Sequence, residues 1–174
     1  VSVGGWRPLT GGGRAALGRG RVAGAYFRSG ASRLLPPSKG SWLVVDASEN
    51  AVRTGQTCAA DLKALAERGV RIYSVANLHA KVFVVGTKAF VGSANVSRNS
   101  ANNLIEALVV TSDRTLVADA KGFVTGLCLD ELGQARLKRL PEIYRPPKLC
   151  RGGATPQRPK HATGPPPPPP RPPP

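Results

Sequence analysis

The chain has 174 residues, a mass of 18.2 kDa and a formal net charge of +15, from 25 Lys and Arg against 10 Asp and Glu. That length suits one domain with flexible ends, and the charge points to a polyanionic partner. No apolar run approaches the ~20 residues that span a bilayer, and no signal-like apolar segment follows the first basic residues. Stable membrane insertion is therefore not expected, and a cytoplasmic location is.

The positive charge sits at the ends. Residues 1–40 hold seven basic and no acidic residues, and residues 141–174 hold six basic and one acidic. The flanks thus carry twelve of the fifteen net charges. Terminal arms that grip a phosphate backbone would use them, each contact adding affinity and salt dependence; solvated tails of biased composition are the plain alternative. Cys58, Cys128 and Cys150 are odd in number and widely spaced, giving neither a disulfide framework nor a zinc pattern. With His79 and His161 the only histidines, no metal site and no cofactor are expected. The absence of Met and the start at Val1 fit a fragment or a misplaced start.

In chain order, residues 1–20 are Gly- and Arg-rich without a sustained period and read as a basic arm or partly ordered extension. VAGAYF (22–27) predicts a buried strand, ASRLL (31–35) a short helix ended by Pro36-Pro37, and WLVVD (42–46) a second strand. Thr57 is placed to cap a helix from Cys58 to Arg68 that Gly69 closes. VRIYSV (70–75) predicts a third strand, followed by a hairpin turning at Gly86-Thr87-Lys88. LIEALVV (104–110) reads as another strand. Ser112 or Asp113 opens a helix to Gly126, and a last helical piece covers 130–139. The stretch 149–174, ending PPPPPPRPPP, is Pro-rich and cannot build a core. Residues 21–148 are left as the folded domain. Strands separated by helices and then a hairpin give an α/β fold, a mixed β-sheet flanked by helices on both faces.

The chemistry concentrates in NLHAKVFVVGTKAFVGSANVS, residues 77–97. On a strand His79 and Lys81 point the same way, and Ser93 and Asn95 arrive from the next strand. Lys neutralises a phosphate, Ser and Asn donate to its oxygens, and His attacks it or carries a proton. Arg98 is a candidate for a flanking phosphate. Asn99, Asn102 and Asn103 read as loop and cap residues.

This stretch resembles the phospholipase D superfamily signature, H-x-K-x4-D-x6-G-S-x-N. His79 and Lys81 fit its first half, and Gly92, Ser93 and Asn95 its second. Gly86 stands where the pattern has Asp, and the spacer before Gly92 is one residue short. The resemblance implies a phospholipase D-like fold over about residues 22–145, of the single-motif, metal-independent nuclease branch. It also implies catalytic roles for His79, Lys81 and Asn95, and a substrate-binding role for Ser93. By the same token Glu106 would orient the histidine, though an acidic residue in an apolar strand also suits a plain ion pair. The family's reaction needs two histidines, and this chain has one H-x-K; His161 lacks a partner lysine. The resemblance therefore implies a homodimer whose two His79 side chains share one phosphodiester.

The expected function is a phosphodiesterase, and basicity with small size favours nucleic acid, DNA above all, as substrate. Two rivals are a non-catalytic nucleic-acid-binding module on the same scaffold, favoured by Gly86 and the short spacer, and a lipid phosphodiesterase.

Overall fold

The computed structural model describes residues 2–4, 19–35 and 37–145. The Pro-rich stretch, His161, Cys150 and most of the basic arm lie outside the described residues. Among the described residues seven strands form one sheet: β1 (Ser2–Gly4), β2 (Gly20–Gly24), β3 (Trp42–Val45), β4 (Arg71–Ser74), β5 (Lys81–Val85), β6 (Lys88–Gly92) and β7 (Leu108–Thr111). Their spatial order is β1-β7-β6-β5-β2-β3-β4. β2, β3 and β4 run parallel, and β2–β5, β5–β6, β6–β7 and β7–β1 are antiparallel. The sheet is mixed, as expected. Ser2–Gly4, within the segment read as an arm, pair with Val110, Val109 and Leu108.

Among the described residues six helices accompany the sheet: α1 (Ala31–Leu34), α2 (Glu49–Arg53), α3 (Ala59–Glu67), α4 (Arg98–Asn102), α5 (Arg114–Gly126) and α6 (Gln134–Ile143). The strands β2, β3 and β5 are apolar at nearly every position, as strands covered on both faces must be. Period-two alternation divides them. Val22, Leu43, Ile72, Phe83 and Phe90 pack with Leu62 and Leu65 of α3 and Leu137 and Leu140 of α6. Ala23, Val44, Tyr73, Val82 and Val84 face the other way, onto Val117, Ala120 and Val124 of α5. Helices therefore cover both faces. Among the described residues no helix is long and apolar enough to cross a membrane.

Several boundaries differ from the sequence reading. The first strand ends at Gly24, and Phe27 makes only single parallel bridges to Thr57 and Val96. Thr57 does not cap α3: it is buried, and its hydroxyl donates to the Asp46 carbonyl at 2.6 Å, leaving Cys58 as a cap residue without a side-chain bond. The strand read over 104–110 begins only at Leu108. Leu104 and Ile105 are 52% and 104% exposed, so this apolar pair has no layer to pack on. The hairpin turn is tighter than expected, with Lys88 already paired to Val85. The last helix starts and ends four residues later than read.

Candidate active site

The parallel run of β2, β3 and β4 sends its C-terminal ends to one edge of the sheet, where ligand sites of open α/β sheets collect. β5 enters the sheet at that edge, β6 leaves it there, and β7 re-enters. The topology thus gathers the start of β5, the end of β6 and the approach to β7, which together carry His79, Lys81, Ser93, Asn95 and Glu106.

His79 sits just before β5 rather than within it. A turn delivers it: Asn77 has φ 59, its N–H donates to Asp46 Oδ2 at 3.0 Å, and the Leu78 N–H donates to the Val75 carbonyl at 3.3 Å. Asn tolerates this left-handed conformation better than most residues. The Ala25 N–H, donating to the Ala80 carbonyl at 3.0 Å, ties the lead-in to the end of β2. The imidazole is exposed, with the Tyr26 ring edge-on to it at 6.1 Å between centroids.

Lys81 is buried, unusual for a lysine. Its Nζ donates to the His79 carbonyl at 2.8 Å and lies 3.4 Å from Nδ1 and 3.3 Å from Nε2 of the imidazole. Burial pulls its pKa below the usual lysine value, and the Glu106 carboxylate opposes that shift. The two motif residues are in direct contact.

After β6 the backbone crosses toward β2. Val96 bridges Phe27 and packs on Gly24, the residue paired with Lys81. Asn95 lies on this crossing; its Oδ1 is buried and without a hydrogen-bond partner. Its N–H donates to Ser100 Oγ at 3.0 Å. Ser100 was not singled out in the sequence, yet it links two site residues, because its hydroxyl also donates to Glu106 Oε1. The other Glu106 oxygen accepts from the Ser93 hydroxyl, and Ser93 Oγ in turn accepts the Ala107 N–H at 3.1 Å. Ser97 caps α4 by accepting the Ser100 N–H at 3.0 Å, which fixes that serine in place. Spacing could have hinted at this: Ser97 and Ser100 sit as cap and third helical residue, before a carboxylate that needs donors.

Two candidates fall differently from expectation. Glu106 holds Ser93 and Ser100 rather than the imidazole. Arg98 opens α4 and lies against Gly30, facing a cavity of about 880 Å³ that Arg33, Arg68 and Asp61 also line. Its guanidinium is therefore directed to the α1–α3 side of the domain.

No curated protein sequence matches the chain. Among solved structures, a phospholipase D family member, Nuc from Salmonella typhimurium, is similar at 18% identity over 68% of this chain and 82% of that one, with a TM-score of 0.54. NucT from Helicobacter pylori is similar at 19% identity over 68% and 84%, with a TM-score of 0.51. At such identities the likeness is one of fold. Sequence adds its own match: residues 40–123, from just before β3 to the last turn of α5, fit the family model described as "Cardiolipin synthase, PLD-like domain". A shared fold and a matching family model converge on one conclusion, that residues 40–123 belong to a phospholipase D-like domain.

Proposed function

We propose that the protein is a metal-independent phosphodiesterase acting on nucleic acid, DNA above all, through a phosphohistidine formed on His79. The contact between the exposed His79 imidazole and the buried Lys81 ammonium carries this reading. In it, a His79 nitrogen attacks phosphorus, the P–N bond forms and the P–O bond to the leaving group breaks. The departing oxygen takes a proton from His79 of a second copy of the chain. Water then attacks the phosphohistidine, giving its proton to that same second imidazole, and His79 is freed. Lys81 and the Asn95 amide stabilise charge on the non-bridging oxygens, where preorganised donors contribute most. Glu106 acts by holding Ser93 and Ser100, and so Asn95, in place.

The second copy follows from the single H-x-K. Leu104 and Ile105, exposed beside Glu106, supply an apolar rim on the edge where two copies would meet. The active form is then a homodimer. A cytoplasmic location belongs to the same reading.

The test is cleavage of plasmid, single-stranded DNA and bis-p-nitrophenyl phosphate in excess EDTA, by wild type and His79→Ala. Turnover that survives EDTA and vanishes in the variant is expected. Turnover retained by His79→Ala would overturn the mechanism, and an active monomer by light scattering would overturn the dimer.

A further inference from the structure

A second cationic site lies at the far end of the sheet, on the α5 face. A cavity of about 390 Å³ there is lined by Arg19, Arg21, Trp42, Gly86 and Lys121, with no carboxylate among its lining residues. The three cations are not explained by ion pairs. Among the described residues neither Arg19 nor Lys121 has one, and the nearby Glu131 carboxylate is taken by Arg71 in a two-pronged contact at 3.0 and 2.5 Å. Arg21 is held instead by stacking, its guanidinium carbon 3.7 Å from the Trp42 ring centroid. Its Nε is buried with no acceptor. Burying a guanidinium nitrogen unpartnered is costly, and an anion at the outer nitrogens offsets that cost.

Gly86 completes the arrangement. It lines the cavity at the position where the superfamily signature has Asp, so a carboxylate there would add a negative charge beside these cations. In this chain it is a left-handed glycine, φ +57, with nothing within 4 Å of where a Cβ would stand. The departure from the pattern leaves the cavity entirely cationic.

We propose that this cavity is a second phosphate-binding site, which grips the backbone of the nucleic acid away from the cleaved bond. The inference rests on the nucleic-acid reading above. Gly86 is five residues along β5 and its turn from Lys81, or roughly 16 Å at ~3.3 Å per residue. The two sites also lie on opposite faces of the sheet, so only a polymer long enough to reach across the domain edge contacts both. An open cavity lined by long cationic side chains suits such a polymer better than a free phosphate, which calls for enclosure.

The experiment uses the full chain carrying His79→Ala, so that DNA survives the measurement. Affinity for a 30-base-pair duplex is read by fluorescence anisotropy against salt. Gly86→Asp and Gly86→Asn are compared, because both residues accept left-handed backbone and differ only in charge. Gly86→Asp is expected to flatten the slope of log K against log salt by about 0.9, the value of one phosphate contact, and to weaken binding about fivefold at ~0.15 M salt. Gly86→Asn should leave both unchanged, and Arg19→Gln with Lys121→Gln should flatten the slope by about 1.8. Parent protein that binds DNA while all variants match it overturns the second site and leaves the nucleic-acid reading standing. Parent protein that does not bind DNA overturns that reading, and this inference with it. Inorganic phosphate is titrated in parallel at constant ionic strength. Binding of it that Gly86→Asp abolishes, with DNA affinity untouched, would reassign the cavity to a free anion.

Discussion

Ser100→Ala is the substitution that best isolates how the site is held. Ser100 is 2% exposed; its hydroxyl accepts the Asn95 N–H at 3.0 Å and donates to Glu106. Removing it orphans a backbone donor, at about 1–3 kcal/mol, and deletes a hydrogen bond to a charged group, at about 1.5–3 kcal/mol. Glu106 is only half-buried, so water recovers part of the second loss. A net destabilisation of about 2–4 kcal/mol remains. Ser93→Ala is the comparison, since Ser93 makes the matching bond to the other Glu106 oxygen but is exposed. Solvent replaces its hydroxyl, and the cost should stay below about 1 kcal/mol. Urea denaturation reads both. With m near ~2 kcal/mol/M, Ser100→Ala should lower the midpoint by about 1–2 M at unchanged m, and Ser93→Ala by less than about 0.5 M. In turnover, Ser100→Ala should lower kcat more than it raises KM, because Asn95 and Glu106 lose their alignment. A Ser100→Ala midpoint no lower than that of Ser93→Ala would refute the claim that the buried serine organises the site.

Further outcomes follow from the same geometry. Gly92→Ala would put a Cβ 2.0 Å from the Ala107 carbonyl oxygen, a backbone atom that cannot swing aside; loss of roughly 3 kcal/mol or more, or insoluble protein, is expected from expression and thermal melts. Lys81 has its pKa lowered by burial, so in the interval between its folded value and the ordinary ~10.4 the unfolded chain binds more protons. Stability should therefore rise with pH across that interval while activity, which uses the ammonium, falls. The alkaline limb of kcat/KM should lie below the ordinary lysine value, disappear to higher pH in Lys81→Arg, and move lower still in Glu106→Gln, which removes the opposing charge. A limb unmoved in Glu106→Gln would show that another group sets it. Asp113→Ala removes the cap on the Leu116 N–H, 3.0 Å from Asp113 Oδ1, and should cost about 1 kcal/mol in denaturant titrations without altering DNA affinity.

The parallel strands and the β5–β6 hairpin were legible because WLVV and VFVV are apolar runs between glycines and polar turns, as burial on both faces demands, and RIYS sets Ile72 and Tyr73 between polar ends. The positions of His79, Lys81, Ser93 and Asn95 followed from signature spacing alone. Legibility failed where a residue's partner comes from elsewhere. Thr57 looks like a cap locally, but the Asp46 carbonyl, eleven residues away, claims its hydroxyl. Glu106 sits in an apolar stretch whose pattern says strand; Ser93 and Ser100 draw its carboxylate instead, and the strand starts two residues later. Helix α2 escaped notice because five residues carry too little periodicity to read, and only Ser48, which caps it, marks its start.

Apart from β1, the strand order makes two sequence-local packets that meet along one seam. β5, β6 and β7 form a meander that carries every residue of the candidate catalytic set from His79 to Glu106, whereas β2, β3 and β4 form a parallel block. Only the β2–β5 ladder, running from Gly20–Val85 to Gly24–Lys81, stitches one to the other within the sheet. Helix α5 lies across this joint, touching β2, β5 and β6 like a splint. Tyr26 and His79 stand on opposite sides of it. Amide protons along β2 and β5 should accordingly share one exchange rate, distinct from those of β3 and β4. Opening at this joint would part Tyr26 from His79 before either packet lost its own structure, so the joint would set how long the cleft stays assembled.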